Sequence, residues 1–96
     1  MKELYVVYFE SANYAGYGEH CLVWAESEDE ARENDQVIEW AEEFYQEQDY
    51  NQWLEDGNHE DEGPWASIEW AKPVAGSDYE KYVAKQPNLY PIVNTK

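Results

Sequence analysis

The chain has 96 residues, of which 22 are acidic, six are Lys or Arg and 43% are apolar, with a formal charge of −16 and one cysteine. A chain of this size buries about two thirds of its unfolded surface around one core, so residues 1–96 are expected to form a single domain with no separate catalytic unit. Cys21 alone excludes an intramolecular disulfide and a cysteine-built metal cage, and the charge repels anionic lipid and nucleic acid, so a cationic partner and a reducing cytoplasm are expected.

The opening "MKELYVVYFESANY" has one Lys, a short apolar run and no small-residue cleavage site, so it reads as a strand and not as an export signal. Leu4 to Glu10 is short and rich in β-branched and aromatic residues, which fits a central strand buried on both faces. "SANYAGYG" supplies turn residues that reverse the chain into a second strand, His20 to Ala25. Ser27 then fits a helix N-cap, with Glu30 placed for a reciprocal capping box and Glu28, Asp29 and Glu30 meeting the positive end of the helix dipole. Ala31, Asn34, Ile38, Ala41 and Tyr45, with Val37 and Phe44 beside them, mark an inward stripe. The helix is expected to bend or break near Asp49 to Asn51 and to stop by Gly57. Local disorder is expected only around Gly57 to Gly63, because five Trp, nine Tyr and two Phe give the rest of the chain ample apolar area to bury.

Trp65 to Lys72 alternates as a third strand that ends at Pro73, and Ser77 fits the cap of a short helix over "DYEKYVAK". The tail "NLYPIVNTK", with prolines flanking Leu89 and Tyr90, suits an edge strand or an extended segment on the core. The fold class is therefore α+β: a three- or four-stranded antiparallel sheet with one long acidic helix on a face and a short C-terminal helix.

Chemistry finds little purchase. General acid–base work needs a carboxylate of raised pKa in a dry cleft, which an exposed helix does not offer. His20 and His59 stand far apart in sequence and in no ligand pattern, so each reads as a surface or strand histidine. Cys21 lies in an apolar run and reads as a small buried hydrophobe. Asp56, Asn58 and Glu60 alternate like calcium ligands, but Asp61 stands where the loop needs glycine and Ser67 where it needs a bidentate Glu. Six cations against 22 anions also argue against bases stacking on the rings. No catalysis, no metal and no cofactor are expected.

The charge itself is local. From Glu26 to Glu62 there are 16 acidic residues against Arg32 alone, a charge of −15, while the remainder holds 6 acidic and 5 basic residues. Like charges one helical turn apart, as in Asp35/Glu39, Glu39/Glu43 and Glu43/Glu47, together cost roughly 1 kcal/mol. Solubility alone would be met by mixed signs. Carboxylates ~6 Å apart along a helix approximate a row of phosphates, and an element running from Glu28 to Leu54 would be about 40 Å long.

In its size, acidity, lack of disulfides and compact α+β layout, the whole chain resembles the small acidic phage-encoded inhibitors of bacterial defence, DNA mimics of the anti-CRISPR and anti-restriction kind. The resemblance implies a non-enzymatic inhibitor in the host cytoplasm, occupying the basic channel of a DNA- or RNA-guided complex without touching nucleic acid or membrane. An acidic adaptor that binds a basic host protein without displacing nucleic acid is the alternative. The resemblance carries over no residue by position, so the candidate partner-binding residues come from charge: Glu28, Asp29, Glu30, Glu33, Asp35, Glu39, Glu42, Glu43, Glu47, Asp49, Glu55, Asp56, Glu60, Asp61 and Glu62.

Overall fold

A computed structural model describes residues 1–58, 63–85 and 90–94. In chain order it contains β1 (Glu3–Ser11), β2 (Gly18–Ala25), α1 (Glu28–Glu33), α2 (Asp35–Glu55), β3 (Ala66–Pro73) and α3 (Tyr79–Lys85). The strands form an antiparallel sheet in the order β2-β1-β3, so β1 is central. This is the expected α+β architecture. Residues 59–62, within the stretch expected to be disordered, lie outside the described residues, as do 86–89 in the tail.

Successive side chains of β1 point to opposite faces, and each face meets its own cover. Tyr5, Val7 and Phe9 join Cys21, Val23 and Ala25 of β2 against Ala31, Val37, Ala41 and Tyr45 of the two acidic helices. On the reverse face Val6 and Leu22 pack with Val74, Tyr79, Val83 and Tyr90, so α3 and the tail close that side. Phe9 anchors the first cluster, with Trp40, Phe44 and Tyr45 meeting it edge-on at 5.5, 6.2 and 5.8 Å between ring centroids. Glu69 is an extra residue between the pairs Tyr8↔Trp70 and Phe9↔Ile68, which makes a bulge in the β1–β3 ladder. The tail adds a short parallel bridge beside β2, with Leu22 opposite Ile92.

The helical region departs from expectation at both of its joints. Ser27 caps α1, its hydroxyl accepting from the Glu30 amide at 3.1 Å, but the reciprocal bond from Glu30 to the Ser27 amide is not formed. The break falls at Asn34, whose backbone is extended and whose Oδ1 accepts from the Gln36 and Val37 amides at 2.9 and 3.1 Å. A short amide side chain competes with the backbone for these donors and restarts the helix one residue later. Asn34 is thus a cap and not part of the inward stripe. The restarted helix buries Val37, Ala41, Tyr45 and Asp49, each one turn after the last, and this leaves Ile38, expected inside, 38% exposed. The helix is not broken at Asp49 to Asn51, where Asp49 is tied to β1 and Trp53 packs on Trp65 at 5.1 Å. α2 ends where glycine allows it: Gly57 has φ +87°, and its amide donates to the Leu54 carbonyl at 3.0 Å.

The tie to β1 is a buried pair. Ser11 Oγ donates to Asp49 Oδ2 at 2.9 Å and accepts from the Tyr14 amide at 3.1 Å, so one hydroxyl joins α2 to the β1–β2 turn. Changing Ser11 to Ala strands a buried carboxylate and is expected to lower stability by about 2–3 kcal/mol. Asp49→Asn keeps an acceptor for the hydroxyl and is expected to cost less. Urea unfolding of the two variants checks the order, and an Asp49→Asn loss as large as that of Ser11→Ala would contradict it.

Candidate partner-binding surface

Two residues apart is about 200° around a helix, so on α2 the row Asp35, Glu39, Glu43 and Glu47 stands opposite the buried row Val37, Ala41, Tyr45 and Asp49. All four acids of the first row are exposed. Consecutive members are ~6 Å apart along the axis, and the row extends about 18 Å on a helix about 30 Å long. The break at Asn34 therefore replaces the expected 40 Å element by a shorter ridge with α1 leading into it. α1 adds the exposed Glu28, Asp29 and Glu33, while Glu30 is half-buried. Arg32, the one cation of this region, shares a shallow depression with Asp29, Glu33 and Ile68.

Three of the other candidates do structural work. The Glu42 carboxylate accepts from the Trp65 amide at 2.5 Å and holds the start of β3 against α2. Asp49 is buried and bonded to Ser11, so it is removed from any binding surface. Both roles come from bonds to residues 23 and 38 positions away, which charge counting cannot see. Asp56 is exposed, but its oxygens accept from Tyr14 at 2.8 Å and Gln52 at 3.0 Å, fastening the β1–β2 turn to the end of α2. Burial and that bond push the Tyr14 phenol up to about 12. Glu55 is exposed beside it. Glu60, Asp61 and Glu62 lie outside the described residues.

Among the described residues one ion pair forms, between the Met1 amino group and Glu26 at 3.8 Å, and it involves none of the ridge acids. The cations are held elsewhere: Lys72 lies over the Trp70 ring at 4.2 Å, and Lys81 and Lys85 are on α3. The sheet thus separates the acidic helices from Lys72, Lys81 and Lys85. Such a ridge offers anionic oxygens to a basic surface. Burial pushes the Cys21 thiol up to about 12, which leaves it without a reactive thiolate. Among the described residues no three His, Cys, Asp or Glu side chains converge as metal ligands, and no helix is long and apolar enough to cross a membrane.

One grouping had no signal in the sequence. His20, read as a surface or strand histidine, is half-buried among rings from four other segments. No protein-family model, curated protein or solved structure matches the chain.

Proposed function

We propose that the protein is a non-enzymatic inhibitor that acts as a DNA mimic, its α1–α2 acids occupying the basic nucleic-acid channel of a bacterial defence complex in the host cytoplasm. The observation that carries this reading is the row Asp35, Glu39, Glu43 and Glu47, exposed along one side of α2 and outside the described ion pair. Keeping like charges one turn apart costs stability, and a basic channel returns that cost on binding. The row supplies one carboxylate per ~6 Å, against one charge per ~1.7 Å of duplex axis, so it imitates selected phosphates and not a whole duplex.

Affinity capture from bacterial lysate and then challenge with duplex DNA tests the reading. Excess DNA is expected to release the captured protein, and release is expected to increase with salt because the contacts are ionic. A captured partner that stays bound at saturating DNA would replace this reading with that of an acidic adaptor.

A further inference from the structure

The reverse face of the sheet carries a cluster of a different kind. His20 of β2 lies 4.9 Å from the Tyr8 ring of β1, 5.9 Å from Trp70 of β3, 5.3 Å from Tyr79 of α3 and 4.9 Å from Tyr90 of the tail. Its Nε2 is 3.2 Å from the Tyr79 hydroxyl. The same imidazole therefore touches both segments that cover this face, α3 and the tail. Beyond Tyr90 the tail is tied to β2 by a short ladder. The Leu22 amide donates to the Pro91 carbonyl at 2.7 Å, the Val93 amide to the Leu22 carbonyl at 2.9 Å, and the Trp24 amide to Asn94 Oδ1 at 2.8 Å.

A neutral imidazole suits this setting. A cation seated on aromatic faces is favourable, but that seat is taken: Lys72 Nζ lies 4.2 Å from the Trp70 centroid and 5.7 Å from that of Tyr79. An imidazolium would put a second positive charge on the same two rings and would turn Nε2 into an obligatory donor toward Tyr79. Of the other groups around the ring Glu19 favours the charged form, and burial outweighs it. Glu19 is its neighbour on β2, Glu10 is engaged by the Tyr8 hydroxyl at 3.1 Å, Glu69 projects from β3, and burial raises the Tyr8 and Tyr90 phenols.

We propose that His20 is a pH-sensitive latch, which holds α3 and the 90–94 segment on the sheet while its ring is neutral and loosens them when the ring takes a second proton. Burial is the largest influence on His20 and lowers its pKa, with Glu19 drawing it back and Lys72 lowering it further. Above the ordinary histidine value of about 6.5 the ring is neutral in folded and unfolded chains alike and the latch is fully closed. As pH falls below that value the unfolded chain takes the proton more readily, and the stabilisation is progressively lost toward the lowered folded-state value. The latch lies across the sheet from the acidic ridge and does not depend on the function of that ridge.

The test is an NMR titration of the His59→Gln chain, which leaves His20 as the one imidazole. Ring shifts report its protonation, while hydrogen-exchange protection factors report the Trp24 and Val93 amides that hold the tail. Between about pH 7.5 and about pH 5.5, protection at these two amides is expected to fall roughly threefold or more as His20 titrates. Val7 and Val23, in the β1–β2 ladder, are expected to hold theirs. His20→Phe keeps a ring but no proton site, and its tail protection is expected to be independent of pH. Protection at the Trp24 and Val93 amides that stays unchanged across this range would overturn the latch. Because both readouts are made on the chain with His20 intact, the test stands even where His20→Phe folds poorly.

Discussion

A chain with Asp35, Glu39, Glu43 and Glu47 all changed to Lys is expected to fold and to lose its partner. The four residues lie opposite the buried row of α2, so no core contact is removed. Stability is expected to hold, because four like charges at one-turn spacing are exchanged for four others. Binding is different. An exposed charge contributes about 0–1 kcal/mol, and reversing it turns attraction into repulsion, so four reversals at about 1 kcal/mol each amount to roughly a thousandfold in Kd. Single changes to Gln at these positions are expected to cost little. Glu42 is left out of the set because its carboxylate holds the Trp65 amide, and a Lys there would confound folding with binding. Circular dichroism establishes the fold, and titration against the partner captured from lysate, repeated across salt concentrations, establishes the loss. If the folded variant binds as the parent does, the acidic ridge is not the contact surface.

Tyr45→Ala is expected to be the most damaging single change to the fold. Tyr45 is fully buried, with Phe9 and Phe44 edge-on to it at 5.8 and 5.0 Å. Its hydroxyl donates to the Tyr17 carbonyl at 2.6 Å, and burial raises its phenol pKa. Truncation leaves a ring-sized cavity between helix and sheet and frees that carbonyl, at a cost of about 3–5 kcal/mol. Since domains are stable by only about 5–15 kcal/mol, most of the margin is removed. Tyr45→Phe separates the two contributions: the ring stays and only the hydrogen bond goes, for about 1 kcal/mol. Urea midpoints at constant slope measure both variants. Equal losses in the two would mean that the hydroxyl and not the ring secures α2.

Much of the architecture was legible because its causes are local. The strands around Leu4 to Glu10, His20 to Ala25 and Trp65 to Lys72 arise from short alternating or apolar runs, and the structure extends or shifts them by one or two residues. Ser27 and Gly57 mark helix ends through bonds made within one turn. The outward position of Glu39 and Glu43 and the inward position of Ala41 and Tyr45 come from helical period. The remaining features were decided between distant parts of the chain. Asn34 broke the helix, although an Asn can as readily lie within it, because the restart places Val37, Ala41 and Tyr45 together against Phe9 and its sheet neighbours. α2 continues through Asp49 because Ser11, 38 residues earlier, accepts it as a partner, and Trp65 does the same for Glu42. Counting acids identified a charged region, but a carboxylate that binds the fold and one left for a partner are the same letter in a sequence. Only packing separates them: an acid within reach of a buried donor is bonded there, because the charge-assisted bond offsets part of the water the carboxylate gives up and leaves no buried donor unmatched.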